Sequence, residues 1–192
     1  MFFRKNLIEK VISKLEPLDF DRFLEVDGLS GMIASDKLRY LDGIPVSCLS
    51  YAEVQILTRK LSKSFKVRLP TLGEDYEAFR SLDEEFRKTV LSQPFEWKAD
   101  YLDGSFLMKD PNVRKINLPR QYEFEGELRI VPISYESKFI ESIDWFGVSR
   151  DAYGRAAAVR GYSFDKNGKR YSAGMVSPLS KECIGLRLFI EE

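Results

Sequence analysis

Hydrophobic residues recur at helical spacing over the first fifteen positions. Phe3, Leu7 and Val11 stand one above the next, with Ile8, Ile12 and Leu15 beside them. Arg4, Lys5, Glu9, Lys10 and Lys14 fill the other face, and Pro17 ends the run. This predicts an amphipathic helix that packs on its own domain or docks onto a partner or a second copy of the chain. Residues 19–44 carry Gly28, Gly31 and Gly43 among short apolar pieces, which predicts turns and short strands. Two better-marked helices follow. Ser50 with Glu53 three residues on, and Thr71 with Glu74, both fit the capping box. The first helix is expected to run to about Ser62 and to bury Val54, Leu57 and Leu61. The second is expected to run to about Arg87, turning Tyr76, Phe79, Leu82 and Phe86 toward a core. The conspicuous residues of these segments are read as helix-start signals. Beyond Leu91 the chain becomes strand-like and loop-rich. Strands are expected at Glu127–Ser134, Arg155–Phe164 and Cys183–Ile190, the last with Leu186, Leu188 and Ile190 on one face. Gly185 there permits close backbone approach. No internal repeat or low-complexity run is visible.

Composition narrows the function classes. Lysine plus arginine and aspartate plus glutamate each number 30, so the formal net charge is zero. No overall field draws nucleic acid or anionic lipid, and neither is an expected partner. No apolar run reaches the roughly 20 residues needed to span a bilayer, and charges follow Phe3 at once where a signal peptide needs its apolar core. A cytoplasmic location is therefore expected. The chain has no histidine, which excludes Ser-His and Cys-His nucleophilic pairs and His-based zinc or iron sites. Its two cysteines, Cys48 and Cys183, are too few for a disulfide framework and are read as buried thiols.

Four segments carry a resemblance. The stretch Pro45-Val46-Ser47-Cys48-Leu49-Ser50-Tyr51-Ala52-Glu53 leads through a helix to Arg68-Leu69-Pro70-Thr71-Leu72-Gly73-Glu74. Gln93-Pro94-Phe95-Glu96-Trp97-Lys98-Ala99-Asp100-Tyr101 forms a second block, and Arg155 to Phe164 a third. Arg170-Tyr171-Ser172-Ala173 followed by Ile184-Gly185-Leu186-Arg187-Leu188 closes the series. In order and spacing these resemble the formylglycine-generating enzyme, or sulfatase-modifying factor, family over about residues 40–190. The resemblance implies an α+β, C-type-lectin-like fold: a twisted antiparallel sheet, two main helices and long irregular loops. On this reading residues 1–25 are an N-terminal helical extension and 26–192 the domain.

The family's oxidase chemistry uses two cysteines that bind copper, as soft thiolates suit Cu(I). The matching positions fall near Lys166 and Tyr171, and neither is cysteine. Copper and formylglycine-generating activity are therefore not expected. The family's calcium-associated piece is Ser92-Gln93 here, a departure from its pattern, while calcium itself stays open as a cofactor. Asp100 and Asp103, beside Trp97 and Tyr101, are a candidate metal pair. The run Asp83-Glu84-Glu85 is read as a solvated face, and Glu123, Glu125 and Glu127, on one side of an extended segment, as either a Ca²⁺-binding or proton-affinity-raising set or a guarded edge. Two function classes remain. One is a non-catalytic binding module that uses its C-terminal loop surface, about residues 165–184. The candidate ligand-binding set is Tyr162, Phe164, Lys169, Arg170, Tyr171 and Trp97, as Tyr and Arg suit recognition. Expected ligands are a protein or a cell-surface saccharide, and analogy within the superfamily points to a phage or mobile-element setting, virion association included. Self-association through the N-terminal helix is part of the same reading. The other class is a family enzyme of altered, oxidase-like chemistry centred on Cys183, its thiol activated by Lys181, Arg170 or Arg187.

Overall fold

The computed structural model describes residues 2–92, 95–102, 114–115, 121–124, 127–130, 144–148, 156–166, 168–180 and 184–191. The architecture is mixed α and β, with four α-helices and two main sheets among these residues. Helix α1 spans Phe2–Ile12. Strands β1 (Phe23–Glu25) and β2 (Gly31–Ala34) form a hairpin. Helix α2 (Tyr51–Leu61), the short β3 (Val67–Arg68), α3 (Leu72–Ser81) and α4 (Glu84–Ser92) follow. The second half holds β4 (Glu96–Leu102), β5 (Arg114–Lys115), β6 (Gln121–Phe124), β7 (Glu127–Ile130), β8 (Asp144–Val148), β9 (Ala156–Asp165), β10 (Gly168–Val176), β11 (Gly185–Leu186) and β12 (Phe189–Glu191). One sheet is antiparallel, in the order β1-β2-β12-β3. The other is mixed, in the order β11-β4-β9-β10-β8 with β5 beside β4, while β6 and β7 pair separately. No helix among the described residues is long and apolar enough to cross a membrane.

The two expected caps form. The Glu53 carboxylate accepts from the Ser50 backbone N–H and hydroxyl, both at 2.8 Å. Thr71 Oγ1 accepts from the Glu74 N–H at 3.2 Å, and Glu74 returns a bond to the Thr71 N–H at 2.8 Å. Three expectations give way. The helix expected over Thr71 to Arg87 is two helices, because Leu82 is extended (ψ 170°) and Asp83 caps a new start by accepting from the Phe86 N–H at 2.8 Å. The single strand expected at Cys183–Ile190 is also two. Strand β11 runs parallel to β4 in the mixed sheet, whereas β12 lies between β2 and β3 in the other. The segment thus crosses between layers, and residues 184–189 are all buried instead of alternating. Cys48 is exposed, since the chain turns there through a left-handed conformation (φ 61°).

Helix α1 packs on its own domain. Ile8 and Val11 enter the same core cluster as Val54, Leu57 and Trp97, and Lys60 of α2 pairs with Glu9. Strand β1, within the segment assigned to the extension, joins the antiparallel sheet.

The mixed sheet has a helix layer on each side, and period-two alternation sorts its residues between them. Trp97 and Ala99 of β4, with Ala157 and Val159 of β9, join the core under α1 and α2. Ala156 and Ala158 of β9, with Tyr171 and Ala173 of β10, join a second core with Tyr76 of α3 and Phe86 and Val90 of α4. The other residues of β4 facing that second core are Glu96, Lys98 and Asp100, and all three are buried.

Candidate functional site

Beneath α3 and α4 the mixed sheet holds a cluster of fully buried charges. Glu96 is its centre. Arg160 of β9 pairs with one carboxylate oxygen, Lys98 reaches the other at 3.0 Å, and Arg187 spans both at 3.3 Å. Asp75 of α3 is the second anion. It accepts from Lys98 at 2.5 Å and from the Tyr171 hydroxyl at 2.8 Å, and the Arg160 Nε lies 3.7 Å away. The side chains of Asp75, Glu96, Lys98, Arg160 and Arg187 have no exposed surface. Three cations thus face two anions. The surplus is spread over backbone oxygens. Arg187 donates to the Ala34 and Ser35 carbonyls at 2.9 and 2.8 Å, and Arg160 to that of Val90. Charges this deep persist only when paired and hydrogen-bonded on most sides.

Proton affinities follow from the placement. Burial alone would push the Glu96 carboxyl up, but Arg160, Arg187 and Lys98 outweigh it and hold it well below the ordinary carboxylate range. Burial, then the negative charge of Asp75, raises the Tyr171 phenol well above its usual value. Lys37 lies beside this centre, across the α-carbon of Gly185. A Cβ on Gly185 would stand 2.7 Å from the Lys37 Cδ, so glycine there makes the slot. Burial and the nearby cations bring the Lys37 ammonium down to about 8, against the opposing pull of Glu96.

The motif around Arg68 has a mechanical role. Its guanidinium forks onto Glu74 through two bonds of 2.7 Å, reaches Glu191 of β12 at 2.5 Å and lies 4.4 Å from the Phe189 ring centre. Arg68 thereby ties the start of α3 to the last strand. Burial opposes the Glu74 charge, but the Arg68 bonds and the Thr71 N–H lower its carboxyl overall.

The candidate ligand-binding residues separate into two groups. Trp97 is fully buried, donating its indole N–H to the Leu49 carbonyl at 3.1 Å. Tyr171 is also interior, held by Asp75 and by the Tyr76 and Phe79 rings, each 5.2 Å away. Both are corrected from surface to core. Strand alternation and the helices over the sheet decide this, since residues 168–176 are a strand and not a loop. Lys169 and Arg170 are exposed at the hairpin end, as is Lys166 in the turn, and Tyr162 is half-buried. Lys169 sits 4.3 Å above the Tyr162 ring and donates to the Leu91 carbonyl at the end of α4 at 3.3 Å. Phe164 pairs with Lys169 in the ladder, and its side chain lies outside the described residues.

Of the candidate metal pair, only Asp100 lies among the described residues. Asp100 is buried and accepts from the Leu72 N–H at 2.5 Å, so it serves the positive end of α3. Asp103 and Cys183 lie outside the described residues. Among those described, no three His, Cys, Asp or Glu side chains are grouped as for a metal ion. Arg187, a candidate activator of Cys183, is committed to Glu96.

Sequence reasoning missed the ionic centre. Its signals were a charge at every second position of Glu96–Asp100 and the lone Arg187 inside an otherwise apolar run. Period-two polarity normally marks a solvent face, and only the tertiary position of α3 reverses that reading. Comparisons with family models, with curated proteins and with solved structures found no match to this chain.

Proposed function

We propose that this chain is a non-catalytic recognition module of C-type-lectin-like architecture that binds a protein or cell-surface ligand through the turn end of its β9–β10 hairpin. The observation that carries the reading is the Tyr162 ring under the Lys169 cation on one face of that end, with Lys166 exposed in the turn and Arg170 exposed on the opposite strand face. Tyr and Arg dominate recognition hot spots, and the positive charge favours an acidic protein patch or an acidic saccharide. The inner part of the same hairpin is pinned by Arg160 and Tyr171 to the buried charges, so the outer residues are presented on a rigid support. The order of the four family-like segments supports the architecture. A phage or mobile-element setting rests on that resemblance.

The test is capture of partners by the purified protein from source-cell lysate, with mass-spectrometric readout. A parallel bait carries Tyr162→Ala, Lys169→Ala and Arg170→Ala. The expected result is a partner retained by the native bait and lost by the triple variant, whose urea unfolding curve stays close to native. A partner indifferent to the three changes would overturn the surface assignment.

A further inference from the structure

A second surface lies far along the chain from the hairpin. Helix α1 and the turn at residues 40–44 form the walls of an open groove of about 660 Å³, lined by Leu7, Lys10, Val11, Lys14, Tyr40, Leu41, Asp42 and Ile44. Leu41 is 66% exposed, Ile44 58% and Leu7 38%. Three large apolar side chains thus converge on one concavity while facing water. The turn is fixed: Leu41 N–H donates to the Lys14 carbonyl at 2.8 Å, Tyr40 N–H to that of Ile44 at 2.9 Å, and Asp42 accepts from the Ile44 N–H at 3.1 Å. A bridge between Leu15 and Tyr40 joins the two walls. The apolar display is therefore a built feature and not a loop tip that folds down onto the core.

Charge selects the occupant. Lys10, in the last turn of α1, and Lys14, in the turn that follows the helix, both line the groove. Asp42, the one acid among the lining residues, is bonded within its own turn. A second α1 would bring like charge against like, which disfavours helix-to-helix pairing of two copies. The shape is concave, whereas a bilayer surface calls for a protruding or flat apolar face.

We infer that this groove is a docking site for an acidic amphipathic helix of another protein, its apolar stripe on Leu7, Leu41 and Ile44 and its carboxylates on Lys10 and Lys14. Helix-in-groove recognition has this form, an apolar stripe with anchors at i, i+3, i+4 and i+7 flanked by complementary charge. The site stands independently of the hairpin reading.

The experiment uses the full chain and fluorescein-labelled designed helical peptides, read by fluorescence anisotropy. One peptide has leucines at i, i+3, i+4 and i+7 flanked by glutamates. A second has lysines for those glutamates, and a third scrambles the first. The expected result is preference for the acidic stripe by about tenfold or more over both others, weakening as salt rises. Leu41→Asp with Ile44→Asp is expected to abolish it, since these exposed side chains can change without loss of the fold. Lys10→Glu with Lys14→Glu is expected to switch the preference to the lysine peptide. Equal binding of acidic and basic stripes, or no binding of any stripe, overturns the inference. So does a native dimer in sedimentation velocity that the Leu41/Ile44 pair dissociates, which would make the occupant a second copy. Cosedimentation with phosphatidylserine vesicles, lost in that pair, would make it a lipid surface.

Discussion

Two ends of one hairpin carry the same residue types to opposite purposes. At the inner end Arg160 and Tyr171 are buried, bonded to Glu96 and Asp75. From the Tyr162–Tyr171 rung outward, Tyr162 is half-buried and Lys169 and Arg170 are exposed. Tyr162 and Tyr171 are direct partners in the ladder, and Lys169 precedes Tyr171 by two residues on the same face. One step along the strand separates a scaffold residue from a surface residue. Residue type says that a position is chemically expensive to bury. It does not say whether the fold has supplied the partners that make burial acceptable. Here α3 supplies Asp75, β4 supplies Glu96, and the last turn of α4 supplies the Val90 carbonyl.

Glu96→Gln gives the sharpest break in that contrast. It leaves Lys98, Arg160 and Arg187 buried around a neutral amide, and removing one member of a buried ion set costs about 3–5 kcal/mol. Urea unfolding should show this as a large drop in midpoint with little change in slope. The same carboxylate dictates the response to acid. Its folded proton affinity is depressed, so its contribution is complete above the unfolded value of about 4.3 and is lost as pH falls through the lower folded value. Stability is therefore expected to hold from neutrality to about pH 5 and to decline below about 4.3, with a shallower decline in Glu96→Gln.

Tyr171→Phe sharpens the comparison at smaller scale. It keeps the ring among Tyr76 and Phe79 and removes only the hydroxyl on Asp75, which retains Lys98. A loss of about 1–2 kcal/mol in urea unfolding is expected. Lys37→Met tests the slot over Gly185. The ammonium is partly desolvated, so its removal should stabilise the protein at pH 7 by on the order of 1 kcal/mol or less once solvent screening is allowed for. The gain should shrink as pH rises through about 8, where native Lys37 already loses its proton while the unfolded chain keeps it. At the outer end, Lys169→Ala with Arg170→Ala should move stability by no more than about 0.5 kcal/mol, as at ordinary surface sites. The same pair should weaken capture of the hairpin's ligand.

Local signals were read well where the determinant is local. Ser50 with Glu53 and Thr71 with Glu74 announce helix starts within four residues, and the structure forms both. Asp83 carries the same kind of signal, but Leu82 and Phe86 continue the helical spacing of Phe79 across the break and mask it. What stayed illegible depends on packing between distant segments. Nothing local to Trp97, Asp100 or Tyr171 states that a helix covers them. The sequence reading therefore placed an aromatic-rich recognition set partly in the core. The remainder of that set, half-buried Tyr162 and exposed Lys169 and Arg170, is where the strand leaves its cover. The groove beside α1 was half visible: the amphipathic helix was plain, while the apolar turn of Leu41 and Ile44 that faces it was read only as turn and short strand.

The division between inner and outer ends is tested most directly by acetylating the native protein with N-hydroxysuccinimidyl acetate and mapping the modified lysines by mass spectrometry. Lys166 and Lys169 should be modified at once in the native state. Lys98 should stay unmodified until urea carries the protein past its unfolding midpoint, because its ammonium is enclosed by Asp75 and Glu96. Acetylation of Lys98 at the rate of Lys166 in native buffer would contradict the buried ionic centre, and with it the account of the hairpin as a scaffold inside and a recognition surface outside.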